Sequence, residues 1–217
     1  TIPQQPRKRL HGPCFIVNLI EGRKARVGCM RRPVIALDAD GVLLDFHLAY
    51  ASAWQRAFGH YPDERDPQAY WPMDRWKVPR LGMFRRQRFK SEFGEFFWSS
   101  VPPVEGAVQA CHRLRDAGFD LVCVSALDAR FEAARLHNLR SLDFPIERVI
   151  ATGNRETERS PKADAITELR PVAFVDDYLP YMRGVPRDIH PALVLRAPNG
   201  SPNVGNELVL AKSVHQD

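Results

Sequence analysis

A short apolar run followed by two aspartates places the strongest constraint on this sequence. Residues 34–37 read V-I-A-L, which has the length and β-branched content of a buried strand, and Asp38, Asp40 and Gly41 follow closely. In an open α/β sheet, ligands bind at the carboxyl ends of the strands. Two carboxylates so close together repel each other unless a cation or a shared proton offsets their charge. The pattern therefore predicts a metal-binding site at the end of this strand.

Strands and helices alternate regularly in the second half of the chain. Apolar runs predict strands, and amphipathic segments between them predict helices. Strands separated by helices of this length predict an α/β fold with a parallel, doubly wound sheet and right-handed crossovers. The predicted strands after 34–37 are 119–124, 147–151, 172–175 and 192–195, and the predicted helices between them are 104–117, 128–142 and 161–169.

The segment 46–101 interrupts this alternation. It begins with a helical pattern at 46–58 that ends at Gly59, as at a helix C-cap, and continues through a long proline-rich connection to a second helical pattern. We expect this segment to be a mostly helical cap inserted into a core domain formed by 33–45 and 102–217.

Residues 1–32 differ in charge from the rest of the chain. Residues 1–33 hold eight Lys or Arg and one Glu, a net charge of +7, whereas the remainder holds 23 basic and 25 acidic residues, a net charge of −2. We expect 1–32 to be a basic, disordered extension and the functional chain to start near Met30. Because the remainder is close to neutral, nucleic acid is not an expected partner, although RNA binding by the extension stays open.

The four cysteines show no C-x-x-C spacing, and no stretch approaches the roughly 18 to 20 apolar residues of a membrane span. The cysteine usage predicts reduced thiols in a cytoplasmic protein. The lack of a long apolar stretch predicts that the protein does not enter a membrane. The cysteines are Cys14, Cys29, Cys111 and Cys123.

Polar residues end three of the predicted strands, and a lysine begins the helix that precedes the last of these. Any one of them has a structural alternative, because Asp-Gly is common in turns and Ser or Asp often caps a helix. If the strands are parallel, however, all of these side chains converge on one crevice. The residues are Asp38, Asp40, Ser125, Lys162, Asp176 and Asp177.

These residues occur in the order of four motifs of the haloacid dehalogenase-like (HAD) hydrolase superfamily, which the chain resembles from about 34 to 195. The matching segments are D-A-D-G-V-L-L-D (38–45), the strand-terminal Ser125, Lys162 in S-P-K-A-D, and F-V-D-D (174–177). The resemblance implies a Rossmann-like core, a bound Mg²⁺, phosphoryl transfer through an aspartyl-phosphate and a helical cap inserted after the first motif.

Phosphoryl transfer needs a nucleophile, cations around the equatorial oxygens and a proton donor for the leaving group. We expect Asp38 to be the nucleophile, and Asp40, which extended geometry points to the same side, to protonate the leaving oxygen and then activate water. Mg²⁺ prefers hard oxygen ligands. The expected ligands are Asp38, the main-chain carbonyl of Asp40, and Asp176. Asp177 is expected to be either a further ligand or a hydrogen-bond acceptor that does not itself contact the ion.

The remaining polar groups are expected to bind the phosphoryl group. Ser125 and the amide of Ala126 can hold a phosphate oxygen, and Lys162 can offset the charge on Asp38. Phe46, the first residue of the cap, is expected to contact the substrate. Four histidines show no metal-ligand spacing and are expected to be structural or surface residues: His47, His60, His112 and His137.

Aromatic and cationic residues of the cap could form a lid over a phosphorylated ring compound such as a nucleotide. Arg85, Arg86 and Arg88 could equally be the solvated face of a helix. The segments D-G-V-L-L-D-F and F-F-W-S-S-V-P-P-V-E-G-A also resemble the 5′(3′)-deoxyribonucleotidase branch of the superfamily, but Ser125-Ala126 stands where that branch has a Thr-Ser pair. The lid candidates are Phe46, Trp54, Tyr70, Trp71, Trp76, Arg80, Arg85, Arg86 and Arg88.

The expected function is a Mg²⁺-dependent phosphatase acting on a small phosphorylated metabolite. A phosphomutase or phosphotransferase is the alternative within the superfamily, because Asp40 could pass the phosphate on to a sugar hydroxyl. A dehalogenase is disfavoured, since its chemistry does not need the general acid that Asp40 supplies. A non-catalytic phosphate-sensing module is the alternative outside enzymes.

Overall fold

Six parallel strands form one sheet in a computed structural model that describes residues 32–155 and 157–216. The strand order is β3-β2-β1-β4-β5-β6, so β1 lies between β2 and β4. The predictions made for residues 1–31, including the start near Met30, lie outside the described residues. The strands are β1 (Val34–Leu37), β2 (Asp120–Ser125), β3 (Val149–Ala151), β4 (Ala173–Asp176), β5 (His190–Leu195) and β6 (Ser213–Gln216).

The predicted strands are confirmed, with ends that differ by two residues at most, and the sheet is parallel and doubly wound as expected. The sixth strand, β6, is not among the predicted strands. The segment after residue 196 is rich in Pro, Asn and Gly, and its one short apolar element, near 208–210, is a 3-10 helix at Gly205–Leu210. β6 lies at the sheet edge with alternating half-buried and exposed residues, so it lacks the apolar run of a buried strand.

Helices occupy the segments between the strands, at or inside the predicted limits. The first helix matches its prediction at both ends, with Gly59 in the left-handed conformation of a C-cap. The helices are α1 (Phe46–Phe58), α2 (Pro72–Arg75), α3 (Met83–Ser91), α4 (Glu95–Trp98), α5 (Ala107–Asp116), α6 (Glu132–Ser141) and α7 (Ala163–Leu169).

Both faces of the sheet are buried, which is why its central strands are apolar at successive positions. Ile35 and Leu37 of β1 face one hydrophobic cluster, whereas Ala36, between them, faces another that includes Ile166 of α7. No helix in the described part of the chain is long and apolar enough to cross a membrane.

The segment 46–101 contains helices α1 to α4 and, among its described residues, no strand of the sheet. Its buried aromatic residues Trp54 and Phe97 belong to the same hydrophobic cluster as Leu37 of β1. The segment is therefore packed directly on the sheet. Its assignment as a cap domain with boundaries at 46 and 101 stays a prediction, and we use the name cap segment for residues 46–101.

Candidate active site

The end of β1 holds Asp38 in register with its neighbours. The Asp38 amide donates to the Val175 carbonyl at 2.9 Å, which extends the pairing of β1 with β4 by one residue. The chain then turns sharply, because the amides of Leu43 and Leu44 both donate to the Ala39 carbonyl. Asp38 is only 5% exposed, and it lies at the bottom of the crevice above β1, β2 and β4.

Gly41 makes this turn possible, and we expect its replacement by alanine to be strongly destabilising. Its φ is +95°, and a Cβ there would meet Asp177 Oδ2 and lie 2.7 Å from Arg196 Nε. Gly59 is the matched control, because its φ is +82° but nothing lies within 4 Å of its Cβ position. In chemical denaturation, Gly59→Ala should cost about 1–2 kcal/mol from backbone strain alone. Gly41→Ala should cost about 1–3 kcal/mol more, from the added collision. Equal costs for the two variants would contradict this account.

Lys162 joins two of the predicted aspartates. Its Nζ lies 2.6 Å from Asp38 Oδ1 and 2.7 Å from Asp176 Oδ2, and its side chain is fully buried. Burial opposes the charge of this ammonium group, but Asp176 and Asp38 outweigh it and raise the pKa of Lys162. Ser160 accepts from the Lys162 amide at 3.1 Å, and α7 itself begins one residue after Lys162.

Asp176 is the last residue of β4, and Asp177 follows it directly. The two carboxylates have different partners. Asp176 also accepts from the Tyr178 amide at 2.8 Å, so it caps the next turn as well as binding Lys162. Asp177 Oδ2 accepts from Arg196, which lies 2.7–2.8 Å away and directly follows β5. Burial raises the pKa of both carboxyl groups; Lys162 opposes this at Asp176 and Arg196 at Asp177, while Asp38 raises both further.

Asp40 has one close cationic partner, Arg135 of α6. Arg135 Nη2 lies 2.8 Å from each oxygen of the Asp40 carboxylate. Burial and the nearby Asp38 raise the pKa of Asp40, whereas Arg135 lowers it. The Asp40 side chain is 26% exposed and borders a cavity, so it can reach a bound molecule.

Three buried carboxylates lie close enough together to hold a metal ion. Oxygens of Asp38, Asp176 and Asp177 are within 4.8 Å of one another. Lys162 and Arg196 compensate only two of the three negative charges, and all three groups are hard oxygen donors of the kind that Mg²⁺ prefers. The residues present therefore fit a divalent cation such as Mg²⁺. The Asp40 carboxylate is not part of this group, which leaves its main-chain carbonyl as the expected ligand.

A cavity of about 390 Å³ opens above these carboxylates. The predicted residues Asp38, Asp40, Phe46, Ser125 and Ala126 all border it. Lys162 lies beneath it and is completely buried. The rest of its lining is mainly aromatic, and the lining includes Tyr70, Trp71, Trp98, Tyr178, Tyr181 and Arg196.

The lid candidates divide into three groups. Phe46, Tyr70 and Trp71 line the cavity, whereas Trp54 and Trp76 are buried. The four arginines of the proposed lid do not line the cavity and are exposed. Three of them lie on α3, as expected for the solvated face of a helix, whereas Arg80 precedes it, and Arg85 lies over the Phe58 ring. The arginines outside the cavity are Arg80, Arg85, Arg86 and Arg88.

The cap segment is attached to the loop that follows β5. The Tyr70 amide donates to the Asn199 carbonyl at 2.9 Å, and the Trp71 indole donates to the Gly200 carbonyl at 3.1 Å. The Tyr70 hydroxyl donates to the Asp177 carbonyl at 3.2 Å, and the Arg196 guanidinium lies 5.6 Å from the centre of the Tyr70 ring. These contacts hold the aromatic wall of the cavity against the expected metal site.

Sequence patterns did not single out Arg135, Arg196 or His47 for the site. Arg196 directly follows the predicted fifth strand, which is a usable signal, whereas Arg135 lies within an ordinary helical pattern. His47 borders the cavity, where its Nε2 lies 2.9 Å from the Tyr70 carbonyl and its Nδ1 3.2 Å from Arg75 Nη1. Burial and nearby arginines lower the pKa of His47 to about 4, so its neutral ring holds the cap segment together.

Comparisons with known proteins agree with this fold. No protein-family model matches the chain, and no curated protein matches it. Solved structures do match. A HAD family hydrolase from Deinococcus radiodurans R1, with bound phosphate and sodium, is 16% identical with a TM-score of 0.55, and the match covers 86% of this chain and 92% of that one.

Two further solved structures are similar over the same extent. A dehalogenase is 15% identical with a TM-score of 0.53, covering 88% of this chain and 94% of that one. A protein from Haemophilus somnus 129pt, described as a predicted phosphoglycolate phosphatase, is 15% identical with a TM-score of 0.51, covering 87% and 95%. The resemblance inferred from the four motifs is thus confirmed for the fold: this chain has the Rossmann-like α/β fold of the HAD hydrolases.

Proposed function

We propose that this protein is a Mg²⁺-dependent phosphatase that hydrolyses a small phosphomonoester through an aspartyl-phosphate on Asp38. One observation carries the proposal: side chains from the ends of β1, β2 and β4 surround one cavity, with a buried lysine between two of the carboxylates. A structural role would explain any one of these residues, but it does not explain their meeting at a single cavity.

Each residue has a defined task in this proposal. Asp38 attacks the phosphorus atom, and the Ser125 hydroxyl and the Ala126 amide hold an equatorial phosphoryl oxygen. Asp40 gives its proton to the leaving oxygen and then takes one from the water that attacks the aspartyl-phosphate. Lys162 pairs with Asp38 at 2.6 Å and holds its carboxylate in place. Mg²⁺, held by Asp38, Asp176, Asp177 and the Asp40 carbonyl, would neutralise charge on the phosphoryl oxygens.

The cavity limits the substrate. Its volume of about 390 Å³ suits a small molecule, and its aromatic walls favour a substrate with a planar ring beside the phosphate. A ring-bearing phosphomonoester such as a nucleotide is our preferred class.

The described cysteines, Cys111 and Cys123, are free and buried, which supports the proposal of a cytoplasmic protein.

Removal of metal tests the proposal directly. We expect phosphate release from a panel of phosphorylated metabolites to stop in excess chelator and to return with Mg²⁺. Mg²⁺ should also raise the melting temperature, because a ligand at 100 times its Kd stabilises a fold by about 2.7 kcal/mol. The melting shift is a readout that does not depend on activity.

Two variants locate the metal within the proposed site. Asp176→Asn should abolish both the Mg²⁺-induced melting shift and turnover. Asp63→Asn changes an exposed aspartate of the cap segment, whose side chain is 80% exposed, and should leave both intact. Turnover that persists in chelator, or a melting shift that survives in Asp176→Asn, would contradict the proposed metal site.

A further inference from the structure

Arg135 is a fully buried arginine that the proposed reaction leaves without a task. Its guanidinium is completely buried, and its Nε and Nη1 have no hydrogen-bond partner. Burying a charged group with unpaired donors is strongly unfavourable, and an apolar residue at this position of α6 would avoid the cost. Such a residue therefore needs a compensating partner.

That partner is Asp40. Both Asp40 oxygens lie 2.8 Å from Nη2 of Arg135, as expected for a charge-assisted hydrogen bond shared between them. The guanidinium carbon also lies 5.1 Å from the centre of the Trp98 ring, within cation–π range. Asp40 and Trp98 both line the cavity, whereas Arg135 does not. Arg135 thus stands behind the cavity wall, where a bound substrate cannot reach it.

The helix that bears Arg135 is itself fixed near the same place. One turn further along α6, Asn138 donates through Nδ2 at 3.0 Å to the carbonyl of Val101, the last residue of the cap segment. Arg135 and Asn138 together attach α6 to the stretch from Trp98 to Val101. The contact with Asp40 is therefore made by a rigid element rather than by a mobile surface arginine.

We propose that Arg135 is a positioning residue for the phosphatase reaction, which holds the Asp40 carboxylate and the Trp98 wall in the geometry that proton transfer requires. The inference rests on the proposed function. Proton transfer by a positioned acid or base contributes about 10²- to 10⁴-fold to a rate, and a displacement of about 1 Å can cost about 10²-fold. Arg135 acts on the reaction only through the groups that it holds.

A double-mutant cycle on the intact protein tests this. Arg135→Met should lower kcat on the best substrate of the panel about 10- to 100-fold while changing KM less than about 3-fold. In an Asp40→Asn background, the same change should lower kcat by less than about 3-fold, because the group that Arg135 positions is already lost. Arg135→Lys, which keeps the charge but not the planar donor group, should recover part of the loss.

Controls separate this role from a structural one. Arg140→Met, at an exposed position of the same helix, should leave kcat unchanged. If Arg135→Met does not fold, as judged by circular dichroism, Arg135→Lys carries the cycle in both backgrounds. A full loss of kcat in the Asp40→Asn background would overturn the inference, and so would a rise in KM at constant kcat, which indicates phosphate binding. Failure of the proposed function looks different: the wild type and Asp38→Asn would then release phosphate equally slowly.

Discussion

Asp38→Asn should abolish phosphate release, lowering kcat by at least about 10⁴-fold, because an amide oxygen is too weak a nucleophile to attack phosphorus. The variant should lose some stability but still fold, because Lys162 loses its ion pair with Asp38 and keeps the one with Asp176. Asparagine has almost the same size as aspartate, and Asp38 keeps its place through the main-chain bond to Val175. The measurement is phosphate release over the metabolite panel in saturating Mg²⁺, with melting curves to show that the variant folds.

Asp45→Asn is the matched control for this prediction. Asp45 belongs to the same sequence motif, but its side chain accepts from the Leu48 amide at 3.0 Å and caps α1. Asparagine caps a helix about as well as aspartate does, so this variant should keep wild-type stability and turnover. Turnover by Asp38→Asn within 10-fold of the wild type would exclude Asp38 as the nucleophile.

Lys162→Met should damage stability and activity together. The change leaves Asp38 and Asp176 buried without the ammonium group between them, and breaking a buried ion pair on one side costs about 3–5 kcal/mol. Turnover should fall by about 10²- to 10³-fold, as when a charge-stabilising donor is removed. Saturating Mg²⁺ should recover part of the stability, because the cation replaces some of the lost positive charge.

The stability loss of Lys162→Met should also depend on pH when measured in chelator. Lys162 lowers the pKa of Asp176 in the folded wild type, so its removal raises that pKa further above the unfolded value. A carboxyl group with a raised folded-state pKa is stabilising while protonated and loses this contribution as the pH rises through that pKa. The destabilisation should therefore be smaller in acid than at neutral pH.

Lys77→Met provides the comparison for this second prediction. The Lys77 side chain is 59% exposed and pairs with Asp63 at 3.6 Å on the surface. Exposed ion pairs contribute about 0–1 kcal/mol, so this variant should unfold at nearly the wild-type denaturant concentration and keep its activity. A Lys162→Met variant as stable as Lys77→Met would show that the buried lysine does not hold the site together.

The sequence was most informative where one physical requirement dominates. Burial on both faces makes the central strands apolar, so β1, β2 and β4 could be predicted from composition, and parallel pairing then brought Asp38, Ser125 and Asp176 to one edge. The edge strand β6 carries half-exposed residues, so its pairing with β5 leaves little trace in the sequence.

The partners of the predicted carboxylates were harder to predict, because they depend on how distant helices and loops pack. Arg135 is 95 residues from Asp40 along the chain, and its helical pattern alone does not separate it from an exposed arginine such as Arg140. The aromatic lid showed the same difficulty. Composition alone did not distinguish Tyr70 and Trp71, which line the cavity, from Trp76, which is buried away from it.

Trapping the covalent intermediate tests the central claim most directly. Wild-type enzyme mixed with its best substrate and Mg²⁺, quenched in acid within the first turnover and digested, should carry one phosphoryl group on the peptide that contains Asp38. On an aryl phosphate whose leaving group needs no protonation, the Asp40→Asn variant, which lacks the base that activates water, should accumulate more of it. Rapid turnover without a phosphorylated peptide, or a phosphoryl group on another residue, would contradict the account.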